Sequence, residues 1–146
     1  MDRVKNKVAI VTGGASGLGK SSAILLAREG AKIVITDVDD ENGTKVVQDI
    51  NNDGGEAIFI KQDVSKEEEW KMVIETTIKT YGKLHIVANS AGIGIGGTVE
   101  DVTLDDWKNL IDVNLHGTFL GTQYGIKGMK ETGEGGSIIN FSSIEG

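Results

Sequence analysis

The chain of 146 residues contains no cysteine, no proline and only two histidines. Without cysteine there can be no disulfide, no thiolate nucleophile and no thiolate metal site, and His85 and His116 alone are too few for a histidine-rich zinc centre. Redox chemistry on this chain would have to use a borrowed cofactor. The lack of proline throws the work of turning onto glycine, of which there are 21, about twice the usual share of roughly 7%. No apolar run approaches the roughly 20 residues needed to span a bilayer, and the N-terminus Met1-Asp2-Arg3-Val4-Lys5 lacks the apolar core of a signal peptide. The expectation is a cytoplasmic protein. Basic residues are outnumbered, 15 against 22 acidic, for a net charge of -7, which argues against a broad electrostatic grip on nucleic acid or an anionic membrane. A hydrophobic share of 38% and a charged share of 25% are ordinary for one soluble globular domain, and residues 1–146 are read as such.

What is present alternates between two periods. Val8 to Val11 is a continuous apolar, β-branched run that stops at glycines, the pattern of a strand buried on both faces. A helix is predicted from about Gly17 to Glu29, a second strand at Lys32 to Thr36, and a helix from Asp40 to Ile50. A third strand follows at Ala57 to Ile60. Ser65 and Glu68 have capping-box spacing ahead of an amphipathic helix carrying Trp70, Val73, Ile74, Thr77, Ile78 and Tyr81. Leu84 to Ala88 reads as a fourth strand, and Gly92 to Gly97 as a glycine-rich loop. Thr103 starts a long helix to about Met129, and Ser137 to Phe141 forms a fifth strand. Strand and helix in strict alternation call for right-handed crossovers and an α/β, three-layer, doubly wound parallel sheet.

In such a sheet a ligand lies at the carboxyl ends of the strands, beside the first strand, where strand order reverses. The segment Thr12 to Gly19, TGGASGLG, falls there. Gly13 can take a tight turn, Gly17 lets the backbone approach a pyrophosphate, and Gly19 permits close helix–strand packing. The helix start around Gly17 and Leu18 offers unpaired N–H groups and a positive dipole end, and Ser16 adds a hydroxyl. Asp37 ends the second strand, where a carboxylate can accept hydrogen bonds from an adenosine ribose. No cation follows until Lys45, so an extra 2′-phosphate would meet repulsion, and NAD is expected rather than NADP. Asp39 and Asp40 read as caps of the next helix. Asp63 ends the third strand, and two readings stay open: a contact to the adenine, or part of the turn ahead of Ser65. Asn89 ends the fourth strand across the switch point, where the backbone of Ala91 and Gly92 can line the cofactor.

Asn114 lies three and four residues beyond Ile111 and Leu110 and seven beyond Trp107, which places it on the apolar stripe expected to face the sheet. A buried amide there is either a core asparagine satisfied by a backbone carbonyl or a functional group. A second apolar set, Val113, Leu120 and Tyr124, lies on another side of the same helix. His85 and Trp70 read as packing residues.

Five motifs in order, TGGASGLG, Asp37, Asp63-Val64, Asn89-Ser90-Ala91-Gly92, and Asn114 with GSIINFSS (Gly136 to Ser143), resemble the short-chain dehydrogenase/reductases over essentially the whole chain. GTFLGTQYGIKGMK (Gly117 to Lys130) with SSIEG is similar to the R-specific secondary alcohol dehydrogenases of bacteria. The resemblance implies a Rossmann-type fold, an NAD-dependent oxidoreductase and a small-molecule alcohol or ketone substrate. It also implies Asp63 and Val64 beside the adenine, Asn89 beside the cofactor, Ser143 orienting the substrate oxygen and Asn114 supporting a proton relay. Ser90 departs from the family's usual Asn-Asn-Ala-Gly. Association through the long helix, as a homotetramer, is implied as well.

The resemblance further implies a Tyr-x-x-x-Lys pair beyond Ser143 that carries the acid–base step. Tyr81 is followed four residues on by His85 and Tyr124 by Gly128, so neither supplies it. The reading therefore expects the C-terminal part, with later strands and the Tyr-Lys helix, to be absent and the sheet truncated after its fifth strand. Two other readings stay open: a noncatalytic NAD-binding module or sensor, and a methyltransferase.

Overall fold

In a computed structural model of the chain, which describes residues 2–143, the five runs of apolar and β-branched residues pair as one parallel sheet. The strands are β1 (Val8–Thr12), β2 (Lys32–Asp37), β3 (Glu56–Lys61), β4 (Ile86–Asn89) and β5 (Ser137–Asn140), in the spatial order β3-β2-β1-β4-β5. Every residue of β1 is buried, as is expected of a central strand with a layer on each side. Alternate residues supply two cores. Ala9, Val11, Ile33 and Ile35 pack against Ala23 of α1 (Gly17–Arg28) and Val46 and Ile50 of α2 (Asp40–Asn52). Ile10, Val34 and Val87 pack against Trp70, Val73 and Ile74 of α3 (Glu67–Tyr81) and Tyr124 and Met129 of α5 (Gly117–Thr132). The three-layer, doubly wound architecture expected from the alternation is what forms. Among the described residues no helix is long and apolar enough to cross a membrane.

The turn into α3 differs from the expected capping box. Lys66, not Ser65, stands at the N-cap and makes no side-chain cap, and Glu69, one residue beyond Glu68, reaches back to accept the Asp63 N–H at 2.6 Å. The cause is Asp63 itself, whose Oδ1 accepts both the Ser65 N–H (3.0 Å) and the Ser65 hydroxyl (2.7 Å), so the serine is already engaged.

The long helix differs more. It is broken into α4 (Leu104–Ile111), a π-helical turn over Asp112–His116, and α5, which runs on to Thr132. Nothing in α4 is buried, Trp107 is 52% exposed, and Asn114 is exposed, so the stripe expected to face the sheet does not. The set Val113, Leu120 and Tyr124 packs on the core instead. Two physical reasons combine. The extra residue of a π turn advances everything after it by about 100° around the helix axis, which shifts the phase of the pattern. The buried stripe of α5 is also largely glycine, which a hydrophobic pattern does not register: Gly117, Gly121, Gly125 and Gly128 lie against the sheet side. A Cβ on Gly121 would stand 2.1 Å from Asn89 Oδ1 and 2.8 Å from the Trp70 ring. Glycine here lets the helix backbone come closer than any side chain would allow.

At the amino end of the sheet His85 is more than packing. Buried in the strand ladder, its Nδ1 accepts the Val8 N–H at 3.0 Å, so the ring proton sits on Nε2 and faces Glu134 Oε2 at 2.8 Å. Lys83 contacts the other Glu134 oxygen. Lys83 and then His85 hold the Glu134 carboxyl down to about 2. A carboxyl whose folded value lies below its ordinary 4.5 adds stability above that value and loses it as pH falls through about 2. Thermal unfolding from pH 6 to pH 2 is expected to show a shallower acid limb in Glu134→Gln than in the wild type. Parallel limbs would refute it.

Candidate functional site at the strand switch

Strands β1 and β4 are neighbours, although β2 and β3 separate them in the chain, so the order reverses between them. The loops leaving these two strands meet there. Thr12, the last residue of β1 and 1% exposed, accepts the N–H groups of Ser90 and Ala91 on its Oγ1, each at 3.0 Å. Gly13 follows at φ +63°, and a Cβ on it would be 2.8 Å from the Ala91 Cα. The turn after β1 and the turn after β4 therefore touch backbone to backbone. Sequence reasoning missed Thr12, because its partners lie some eighty residues away. Thr12→Val would leave two N–H groups without their acceptor. It is expected to lower stability by about 1–2 kcal/mol in chemical denaturation, with no change if water replaces the hydroxyl fully.

The glycines of the turn differ in their surroundings. Gly17 has φ +52°, and nothing lies within 4 Å of where its Cβ would be, which leaves open space over the start of α1. Gly19 is the reverse: its Cβ would stand 2.2 Å from the Gly13 carbonyl oxygen. Ser16 is the N-cap of α1 but its side chain makes no cap hydrogen bond, so the first N–H groups of the helix keep their donors available, with Leu18 68% exposed beside them. These free donors and the open space fit an anionic pyrophosphate.

Asp37 stands beside this turn. Its Oδ2 accepts the Ala15 N–H at 3.0 Å and its Oδ1 the Asp39 N–H, also at 3.0 Å. The carboxylate is thus part of the turn's own scaffold. Asp39 caps α2 by accepting the Asn42 N–H, as expected, and Asp40 begins that helix. Register also brings Lys61 opposite Asp37 on β3, a cation the linear sequence does not place there, though no ion pair joins the two. Val64 is buried beneath Gly117, 2.6 Å from where a Cβ would be, and its carbonyl accepts the Trp70 indole N–H at 2.9 Å.

On the β4 side, Asn89 is buried and its Nδ2 donates to Asn140 Oδ1 at 2.8 Å, joining the ends of β4 and β5. Asn114, although exposed, is not idle. Its Oδ1 accepts the Ile93 N–H at 2.8 Å and its Nδ2 donates to the Ile93 carbonyl at 2.9 Å, and it lies 3.4 Å from a Cβ built on Gly92. Asn114 lies in the π turn, and the Thr118 hydroxyl of α5 donates to its carbonyl at 2.8 Å. Irregular helix at such a place often accompanies function. Ser143 lies three residues beyond β5 and is exposed. The remainder of SSIEG lies outside the described residues.

Neither tyrosine serves this crevice. The Tyr124 hydroxyl donates to Glu67 at 2.5 Å, and that carboxylate pushes its pKa up, while Lys127 sits 4.3 Å from its ring centroid. Tyr81 is pushed up to about 12, by burial first and then by Glu56. Among the described residues no cluster of acidic and histidine side chains could hold a metal ion.

Sheet order and the layers of helices on its two faces define the class: a doubly wound α/β protein, of the kind in which ligands bind where strand order reverses. The chain belongs to the short-chain dehydrogenase family, whose model matches residues 7–146. It is 46% identical over 146 residues to an NADP-dependent (R)-specific alcohol dehydrogenase of Lentilactobacillus kefiri, which covers 99% of this chain and 57% of that protein. It is 43% identical over 144 residues to a 3-alpha-(or 20-beta)-hydroxysteroid dehydrogenase of Mycobacterium tuberculosis, covering 99% and 54%. A cyclohexanol dehydrogenase of Acinetobacter is 38% identical over 146 residues, covering 99% and 58%. The chain thus spans a little over half the length of the curated relatives it matches.

Proposed function

We propose that this chain is the NAD-binding portion of an oxidoreductase that interconverts a secondary alcohol and a ketone. The observation that carries the reading is the glycine turn at the strand switch, with open space at Gly17 and free N–H donors at the start of α1. In this reading Gly13, Ser16, Gly17, Leu18 and Gly19 hold the pyrophosphate through backbone N–H groups and the Ser16 hydroxyl. Asp37 accepts from the adenosine ribose, and Asp63 and Val64 border the adenine. Asn89, Ala91 and Gly92 line the nicotinamide side. When bound, the nicotinamide supplies the hydride acceptor or donor. Ser143 orients the substrate oxygen, and Asn114 fixes the Gly92–Ile93 loop and supports the proton path. The relatives named for alcohols, hydroxysteroids and cyclohexanol support a substrate with a secondary hydroxyl or ketone.

Binding and turnover are expected to separate. The 146-residue chain should quench or enhance NADH fluorescence saturably and ignore S-adenosylmethionine. Hydride transfer needs a matched proton transfer, to which a placed acid contributes roughly a hundred- to ten-thousand-fold, and no Tyr-x-x-x-Lys occurs in these residues. Steady-state assays with secondary alcohols and NAD should therefore find no turnover by this chain alone. Binding of S-adenosylmethionine without NADH would overturn the proposal, and turnover at a full enzyme's rate would overturn the need for a Tyr-Lys pair.

The partner we propose is a second copy of the chain. Trp107, Leu115, Phe119 and Ile126 are between 42% and 59% exposed along α4, the π turn and α5, which is a large apolar stripe for a free helix face. Helix-to-helix association there, extending to a homotetramer, would cover it. Sedimentation of the full-length protein as monomers only would argue against this.

A further inference from the structure

Where β2 and β3 end on the α3/α5 face of the sheet, the Thr36 hydroxyl and both ends of the Gln62 carboxamide are buried with no hydrogen-bond partner among protein atoms. Thr36 is 0% and Gln62 1% exposed. Their positions are linked. Thr36 follows Val34 by two residues, and Val34 belongs to the α3/α5 core; Gln62 follows Ile58 and Ile60, which pack against that core. Side chains two apart along a strand share a face. Thr36 is in register with Ile60, and the Gln62 N–H donates to the Asp37 carbonyl at 2.9 Å, so Gln62 continues the ladder one step beyond the last paired residue. The two side chains therefore belong to one wall, directly below the rim made by Asp37 and Asp63.

Asn89 Oδ1 and the Tyr81 hydroxyl are also buried on this face without a partner, but they belong to β4 and the end of α3 rather than to the β2–β3 ladder. Thr12, in register with Thr36, is held by Ser90 and Ala91. A carboxamide carries two donors and an acceptor, a hydroxyl one donor and two lone pairs, and burying them unpaired is costly. Buried water typically makes two to four hydrogen bonds to such groups, which matches this set.

We propose that Gln62 and Thr36 together bind an internal water molecule, and that this hydrated pair fixes the Gln62–Val64 lip on the adenosine side of the crevice. The first half stands on the orphaned groups and their shared face. The second rests on the proposed NAD site, and Gln62 is in it a positioning residue that touches no cofactor.

The test begins with a high-resolution crystal structure of the chain. Ordered water within about 3.2 Å of both Thr36 Oγ1 and the Gln62 carboxamide is expected. A direct Thr36–Gln62 hydrogen bond, or other protein partners with no water, would overturn the proposal. The variant Thr36→Val/Gln62→Met keeps both shapes and removes the polar atoms, so it should stay folded and lose the water. Titration with 5′-AMP and with reduced nicotinamide mononucleotide then reads the lip: about a ten-fold loss of AMP affinity is expected, with the mononucleotide unchanged. Equal loss of both, or of neither, would refute the positioning role. If the wild type binds no NADH, AMP or mononucleotide at all, the proposed function fails, and the crystallographic result alone decides the water site.

Discussion

Gly19→Ala is expected to lower the thermal midpoint by roughly 10 °C, because overpacking a tight contact costs up to about 3 kcal/mol in a chain of this size. The added methyl would stand 2.2 Å from the Gly13 oxygen and 2.7 Å from the Gly13 carbonyl carbon, both backbone atoms of the turn itself. No rotamer can relieve such a contact, so α1 must move away from β1 or the turn must open. Either movement displaces the N–H groups that the proposed pyrophosphate site needs, and NADH affinity should fall by about a hundred-fold as well. Gly17→Ala is the informative comparison. Its methyl meets nothing within 4 Å, and the penalty is the positive φ of +52°, on the order of 1–2 kcal/mol. The open space is where the phosphates would lie, so Gly17→Ala should cost binding more than stability. Differential scanning fluorimetry with and without NADH separates the two. A Gly19→Ala protein with wild-type midpoint and affinity would show that the turn is loose, and the assignment of its glycines would fall.

The shape of the glycine turn was legible in the sequence because everything that forms it is local: a buried strand, a short run of glycines, a helix start. Asp39 as a cap and the alternation that builds the sheet were legible for the same reason. Thr12 was not, since its hydroxyl is used by Ser90 and Ala91, which reach it only after three further strands are laid down. Asn114 shows a different failure. Apolar spacing placed it on a buried stripe, but the π turn rotates the helix and four glycines take the buried side of α5, leaving Asn114 exposed and clasping Ile93. It satisfies a backbone carbonyl, as the first of its two readings had it, but from an exposed position on the Ile93 loop rather than from the core. Asp63 likewise spends its carboxylate on Ser65, which is the local reading, and it lies two residues beyond the end of β3 at Lys61 rather than ending the strand itself.

In the proposed site the choice between two nicotinamide cofactors would turn on Asp37, and likeness alone does not make it, since a relative 46% identical is named as NADP-dependent. A 2′-phosphate placed against the Asp37 carboxylate at about 5 Å would be repelled by roughly 2 kcal/mol in a solvent-rich crevice, which is about thirty-fold in affinity. Lys61, in register opposite, pulls the other way, but it is exposed and unpaired with Asp37, so its attraction is screened. The expected outcome is that the chain binds NADH about thirty-fold more tightly than NADPH. Asp37→Asn should erase most of that preference by weakening NADH and strengthening NADPH together. The amide can still accept one of the two N–H groups that the carboxylate now holds, from Ala15 and Asp39, so the fold should survive with a loss of about 1 kcal/mol. Lys61→Gln, made alongside, should widen the preference for NADH if the lysine reaches the 2′ position. Competitive titration with both cofactors reads all three proteins. A wild type that prefers NADPH would place Lys61 rather than Asp37 in control of the ribose.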